Sequence, residues 1–250
     1  MPLKLPTDLS RLAILLDVDG TLLNFAATPR QVFVPPEIRE TLSRLRTRTG
    51  GAVAFVTGRP LSELDLLFAP LQLPAVGGHG AEIRVSPDVV PEAPRSAPLD
   101  PKIKRRFAAI AELGRGIVIE DKGYSLALHY RLAPDKEDIV RQMAADICAE
   151  FRDAPIELLP GKLMVEIKQV GYSKMTGVRE LMTFPPFSGR RPIFFGDDIT
   201  DRGVFTVMPE YEGIGISVGE NVPGTFSFKR PADVRHWLDR ISRSDAAAVS

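Results

Sequence analysis

The sequence predicts an α/β protein, a Rossmann-like parallel sheet flanked by helices with a smaller α+β segment inserted into it. Three observations carry this reading. Short continuous apolar runs recur, each ending in a polar or glycine-rich stop. A stretch with helical spacing separates the first two runs. The middle of the chain changes to alternating apolar and polar residues, the pattern of antiparallel strands with one buried face.

Leu12-Ala13-Ile14-Leu15-Leu16 suits a strand buried on both faces, and it stops at Asp17-Val18-Asp19-Gly20-Thr21. A helix follows over Pro36 to Arg48, where Ile38, Leu42 and Leu45 recur at helical spacing between the start signal Pro35-Pro36 and the stop signal Gly50. Ala52 to Val56 repeats the strand design and stops at Thr57-Gly58-Arg59. Strand, helix, strand implies a right-handed crossover and a parallel sheet. Pro192 to Phe195 is a third such run, stopping at Gly196-Asp197-Asp198. Parallel sheets bind ligands at the carboxyl ends of their strands, which is where all three polar stops fall.

In the middle of the chain, Ile103, Phe107, Ile110 and Ala111 mark one helical face over Asp100 to Leu113. Ile139, Met143, Ile147 and Phe151 mark another over Asp135 to Phe151. Strands are expected over Ile117 to Lys122, Ser125 to Arg131, Ile156 to Leu159 and Lys162 to Lys168, with Lys122-Gly123-Tyr124 and Pro160-Gly161 as turns. The order predicts an insert of about four antiparallel strands with two helices on one face. Alternation puts Leu163, Val165 and Ile167 on the helix side and Glu166 and Lys168 on the other; Glu120 and Lys122 share a face, as do His129 and Arg131. Such a face ordinarily shows its polar groups to water. Gly213 to Gly219 and a helix near Ala232 to Ile241 return to the sheet-and-helix pattern, with Trp237 as a packing residue and Ser242 to Ser250 as a frayed tail.

The chain has 250 residues, 44% apolar and 26% charged, enough for one large domain or two small ones with packed cores. Lys and Arg together number 32, as do Asp and Glu, and a net charge of zero excludes general binding to nucleic acid or an anionic membrane. Cys148, the one cysteine, excludes an intrachain disulfide and a multi-cysteine zinc site, and its helical position makes it a core residue. Met1 to Ser10 lacks a signal-peptide apolar region, and no run approaches the ~20 apolar residues of a membrane span. A cytoplasmic protein that acts as a monomer, without nucleic-acid or membrane partners, is expected.

Asp17 and Asp19, two residues apart after a buried strand, can turn both carboxylates into one crevice. Crowded carboxylates are costly unless a cation or a proton compensates them. Asp197, Asp198 and Asp201 add acid at the end of another strand. An all-oxygen cluster without His or Cys points to Mg²⁺ rather than zinc.

The set Asp17-Val18-Asp19-Gly20-Thr21, Thr57-Gly58-Arg59, Lys174 and Gly196-Asp197-Asp198-Ile199-Thr200-Asp201 resembles, in order, the four motifs of the haloacid dehalogenase-like phosphohydrolase superfamily. His79-Gly80-Ala81-Glu82, Ala127-Leu128-His129-Tyr130-Arg131 and Val165-Glu166-Ile167-Lys168 narrow the resemblance to the trehalose-6-phosphate phosphatases, over Leu15 to about Trp237. Two departures stand out. Met175 follows Lys174 where the family usually has Gly, and Arg202-Gly203 follows Asp201 where acidic residues are common.

The resemblance implies a haloacid dehalogenase-like core formed by residues 1–85 and 171–250 and an α+β cap formed by 86–170. The implied reaction is Mg²⁺-dependent hydrolysis of trehalose 6-phosphate through an aspartyl-phosphate. Asp17 would be the nucleophile, and Asp19 the acid that protonates the sugar oxygen and then activates water. Phosphate monoesters need acceleration up to about 10²¹-fold, and acid–base help supplies roughly 10² to 10⁴. The rest falls to charge neutralisation: Mg²⁺ on Asp17, Asp197 and the Asp19 carbonyl, and Thr57 and Lys174 on phosphate. Asp198 and Asp201 would orient the metal's surroundings or Lys174. Glu120, Lys122, Glu166 and Lys168, with His129 and Arg131, would contact sugar hydroxyls as the cap closes about links at Ala81 to Pro87 and Val170 to Ser173. Arg59 reads as a loop brace, and His79 as a turn residue or a substrate contact. Other readings are a phosphatase or phosphomutase for another sugar phosphate, or a non-catalytic phosphosugar-binding module.

Overall fold

The structure, a computed structural model, describes residues 8–28, 31–88 and 94–243. Residues 1–7 of the segment searched for a signal, and 244–250 of the expected tail, lie outside the described residues. The elements run β1 (Leu12–Leu16), α1 (Pro36–Arg48), β2 (Val53–Val56), α2 (Leu61–Phe68), β3 (Ala75–Gly77), β4 (Glu82–Arg84), α3 (Pro101–Ala108), β5 (Val118–Asp121), β6 (Ser125–His129), α4 (Glu137–Glu150), β7 (Ile156–Gly161), β8 (Met164–Gln169), α5 (Lys174–Leu181), β9 (Arg191–Gly196), α6 (Arg202–Val207), β10 (Ile214–Val218), β11 (Phe226–Phe228) and α7 (Pro231–Arg243). They fall into two compact units, one of Met1–Phe25, Phe33–Ala93 and Ser173–Ser250, the other of Ala26–Val32 and Pro94–Tyr172. This division differs from the expected 86–170 by starting at Pro94 and ending at Tyr172, and by drawing in Ala26–Val32, where Arg131 Nη1 donates to the Ala26 carbonyl at 3.0 Å.

The larger unit holds a seven-stranded sheet in the order β11-β10-β9-β1-β2-β3-β4, parallel except where β4 runs back along β3. All five residues of β1 are buried, which is why the run is apolar without alternation. Each fully buried Leu or Ile there contributes roughly 1.5–3 kcal/mol. On one face Ala13, Leu15, Val56 and Phe194 pack with Val178 and Leu181 of α5 and Val204 and Val207 of α6. On the other, Phe195 lies 5.5 Å from Trp237 of α7, so Trp237 is a packing residue as expected. From β1 the chain crosses to β2 on one side, and later returns through β9 on the other. That makes β1/β9 a switch point, where a crevice opens at the carboxyl ends. Leu16 is in register with both Phe55 and Phe195, so Asp17, Thr57 and Asp197 leave the sheet at the same edge.

In the smaller unit four antiparallel strands run in the order β5-β6-β8-β7. Leu126, Leu128, Val165 and Ile167 pack with Ile103 and Phe107 of α3 and Val140, Ala144 and Ile147 of α4. Three details differ from expectation. The buried stripe of α4 is Val140, Ala144 and Ile147, and Ile139 is 48% exposed. Apolar residues occupy adjacent positions there, and the small Ala144 lets the helix approach the sheet. The β7–β8 turn is Lys162-Leu163, because β7 continues through Pro160 and Gly161, which pair with Val165 and Met164. The polar face is not open to water at its centre: Glu166 is 1% exposed and Lys168 2%. These groups are paired with neighbours on the same face, as described below. Among the described residues no helix is long and apolar enough to cross a membrane.

Candidate active site

Four elements of the larger unit deliver side chains to the crevice. Lys174 is the first residue of α5, set by a reciprocal cap: the Ser173 hydroxyl accepts from the Thr176 N–H, and the Thr176 hydroxyl from the Ser173 N–H. From there the buried ammonium donates to Asp17 Oδ1 at 2.7 Å and Asp201 Oδ1 at 2.8 Å. The other Asp201 oxygen accepts the backbone N–H groups of Asp197 (3.0 Å) and Asp198 (3.1 Å), fixing the loop after β9. The Asp198 carbonyl accepts from the Asp201 N–H at 2.9 Å at the start of the short turn Ile199–Asp201, and its carboxylate is not among the three that meet in the crevice.

The Thr21 hydroxyl donates to Asp197 Oδ1 at 3.1 Å, tying the turn after β1 to that after β9. Gly20 makes this approach possible. Its φ of +92° suits glycine, and a Cβ there would lie 2.3 Å from Asp197 Oδ2. Thr57 is buried, its hydroxyl accepting from the Arg59 N–H at 3.2 Å. Arg59 grips Asp19 by both oxygens, at 2.6 and 2.8 Å, and reaches Glu63 at 3.3 Å. The expected loop brace is therefore a two-point hold on the Asp19 carboxylate. His79 is buried with its imidazole against Gly58, where a Cβ would meet Nε2 at 2.3 Å, and Glu82 accepts from the Leu61 N–H at 2.6 Å at the start of α2.

Asp17, Asp197 and Asp201 can each offer an oxygen, all within 4.8 Å of one another. Asp19 adds no carboxylate to that group, leaving its carbonyl as what it can contribute. Burial pushes the Asp17 carboxyl well above the usual range, and the charges of Asp201 and Asp197 reinforce this against the pull of Lys174. Burial and then the Asp201 charge raise Asp197 to about 7. Burial also works against the charged form of Lys174, but Asp17 and Asp201 outweigh it and keep the ammonium protonated. Fully ionised, the three carboxylates would leave two negative charges against the one ammonium, a form that a bound cation would favour, and the donor set is all oxygen. Such a set fits a hard divalent cation.

The polar face of the smaller unit forms a second cluster. Glu166 accepts from the Ser125 hydroxyl at 2.6 Å and from Lys122 Nζ at 2.8 Å. Glu120 lies 2.6 Å from His129 Nε2 and 3.9 Å from Lys122 Nζ. Burial works to raise the Glu120 carboxyl, but the His129 hydrogen bond and the Lys122 charge prevail and lower it. His129 Nδ1 is buried without a hydrogen-bond partner among the described residues. Lys168 is a correction to the expected set of hydroxyl contacts. Its ammonium donates to Glu157 (2.5 Å) and to the carbonyls of Gln169 (3.0 Å) and Tyr172 (2.7 Å), so all three of its protons are engaged. Its place at the end of β8, where the chain turns back beneath it, makes it a structural lysine.

Sequence reasoning quoted Thr21 but gave it no role, and passed over Ser125. The signal for Thr21 was a hydroxyl directly after the turn glycine. Ser125 offered only its two-residue spacing from Ala127 on the polar side of β6.

Comparison with known proteins agrees with this geometry. The family model for trehalose-phosphatase matches residues 15–231. A probable trehalose-phosphate phosphatase of Sinorhizobium fredii is 40% identical over 222 residues, covering 88% of this chain and 83% of that protein. The trehalose-6-phosphate phosphatase of Escherichia coli is 35% identical over 232 residues, covering 90% and 85%. In structure, the C-terminal domain of the C. albicans trehalose-6-phosphate phosphatase superposes with a TM-score of 0.82 at 20% identity, over 93% of this chain and 92% of that one, a likeness of fold. With the four motifs meeting at one edge of the sheet and the family model spanning them all, the chain belongs to the trehalose-phosphatase family.

Proposed function

We propose that the chain is a Mg²⁺-dependent phosphatase that hydrolyses trehalose 6-phosphate to trehalose and phosphate. The observation that carries this is the buried group of Asp17, Asp197, Asp201 and Lys174, with its surplus of carboxylates at the switch point of the sheet. Asp17 is the nucleophile: its oxygen forms a bond to phosphorus as the bond to the sugar oxygen breaks, giving an aspartyl-phosphate. Asp19, oriented by Arg59, gives the leaving sugar oxygen its proton and then takes one from the water that opens the aspartyl-phosphate. Thr57 and Lys174 bind the phosphoryl oxygens. Asp17, Asp197 and the Asp19 carbonyl hold Mg²⁺, which when bound neutralises phosphoryl charge, while Asp198 and Asp201 steady that arrangement.

The smaller unit, Ala26–Val32 and Pro94–Tyr172, acts as the sugar-recognising cap, with Glu120, Lys122, His129, Glu166 and Arg131 as its candidate hydroxyl contacts. Two glutamates that each lie within 4 Å of Lys122 Nζ can exchange partners with sugar hydroxyls, which both donate and accept. Phosphate release from trehalose 6-phosphate, sucrose 6-phosphate, glucose 6-phosphate and mannose 6-phosphate, with Mg²⁺ and with chelator, tests the proposal. Release from trehalose 6-phosphate at the highest kcat/KM, lost on chelation, is expected. Preference for a monosaccharide phosphate overturns the disaccharide assignment. Phosphoryl transfer to a second sugar, without release, would instead favour the mutase.

A further inference from the structure

Lys174 and Asp201 belong to separate helical segments, so the 2.8 Å bond between them depends on how α5 and α6 are spaced. Met175 is the second residue of α5 and Gly203 the second of α6. A Cβ built on Gly203 would lie 3.2 Å from Met175 Cβ, 3.7 Å from its Sδ and 3.9 Å from its Cγ, and the first of these is tighter than nine in ten real contacts. Met175 Cβ is fixed to the helix backbone. It cannot swing aside as a side-chain tip can, so relief requires α5 and α6 to shift by a few tenths of an ångström.

Retreat is blocked on the other side of α5. Gly177 lies against β3 so closely that a Cβ there would be 2.4 Å from Val76 Cγ1. Asp201 is confined in the same way, since a Cβ on Gly196 would lie 2.6 Å from Asp201 Cγ. Both bonds of the Lys174 ammonium, at 2.7 and 2.8 Å, are charge-assisted and short, so they weaken as α5 and α6 part.

We propose that Met175 and Gly203 are a matched pair, a side chain on one helix seated against a bare Cα on the other, that sets the spacing of α5 and α6 and so positions Lys174 against Asp201 and Asp17. Both are positioning residues, acting through Lys174 and Asp201, and the proposal rests on the phosphatase reading above for the meaning of that position.

The test compares Gly203→Ala, Met175→Gly, Met175→Gly/Gly203→Ala and Met175→Ala/Gly203→Ala with the parent chain, by phosphate release and by Mg²⁺ titration calorimetry without substrate. Gly203→Ala is expected to lower kcat at least fivefold with KM within twofold and to weaken Mg²⁺ binding, while its thermal midpoint stays within a few degrees, because alanine is the better helix former. Met175→Gly/Gly203→Ala moves the bare Cα to the other helix and is expected to recover most of the lost kcat and Mg²⁺ affinity. Met175→Ala/Gly203→Ala keeps both Cβ atoms and is expected to stay impaired, so rescue depends on the Cβ contact rather than on the length of the side chain.

Parent-like kcat and Mg²⁺ affinity in Gly203→Ala, or equal rescue by both double variants, overturns the proposal. If Met175→Gly variants do not fold, Gly203→Ala and Met175→Ala/Gly203→Ala still decide it by whether both are impaired. Absence of turnover in the parent chain overturns the phosphatase reading instead, and the Mg²⁺ affinities then test the pair alone.

Discussion

Charge is buried in both units of this protein, and on opposite terms. At the ends of β1 and β9, three carboxylates share one ammonium, and burial pushes Asp17 and Asp197 towards their protonated forms. On the polar face of the small sheet, Glu166 is matched by Lys122 and Ser125, Glu120 by His129, and Lys168 by Glu157. On the small sheet each of these carboxylates has a donor close by, whereas at the ends of β1 and β9 three carboxylates crowd around one. Unbalanced buried charge is costly to a fold, and functional sites are where such cost is kept.

The largest test of this contrast is Asp17→Asn. Turnover is expected to fall by more than about 10³-fold in a phosphate-release assay. The fold should persist and metal-free thermal stability should hold, since Asn is close in shape to the protonated carboxyl that burial favours at this position; substantial remaining turnover would break the nucleophile assignment. Lys174→Met comes next, with an expected loss of about 10²–10³-fold in kcat and a destabilisation of roughly 3–5 kcal/mol in chelator, as the carboxylates lose their one ammonium. Denaturant titration with and without Mg²⁺ measures the second effect, and unchanged stability would mean the ammonium carries little of the load.

In the balanced network, Glu166→Gln is expected to raise KM roughly 10–100-fold with a smaller change in kcat, since it weakens bonds to Lys122 and Ser125 worth roughly 1.5–3 kcal/mol each. A fall in kcat alone would remove the sugar-contact role. The smallest effect concerns pH. The folded Asp197 carboxyl, at about 7, lies above its unfolded value of 3.8, so the folded state holds the proton more tightly. Stability gained from that proton is full below pH 3.8 and is lost as pH rises through about 7. Melting in chelator should therefore drop by several degrees between pH 5.5 and 8, and saturating Mg²⁺ should flatten the dependence.

Legibility in the sequence followed how local each determinant is. β1, β2 and β9 could be read because both faces of each are buried, and an unbroken apolar run ending in Asp or Gly leaves few alternatives. Asp17, Asp197 and Lys174 were legible through the order of the motifs. On α4, Met143, Ile147 and Phe151 pack against the core of the smaller unit as expected, but Ile139 gives way to Val140, which is equally apolar, and only the sheet beneath decides between them. Lys168 looked like a free cation because the carbonyls that engage it, on Gln169 and Tyr172, carry no side-chain signal. The two departures from the family pattern, at Met175 and Gly203, are separated in sequence and looked independent. They touch only because α5 and α6 pack side by side.

Trp237 gives the molecule an optical property. It is the one tryptophan of the chain, 5% exposed, and its ring lies 5.5 Å from Phe195, two residues before Asp197 on the same stretch of backbone. Emission at tryptophan wavelengths therefore comes from a single indole coupled through one side chain to the strand that carries a proposed metal ligand. Cation and phosphate titrations of the unlabelled protein can be followed by fluorescence, with no second indole to dilute the signal.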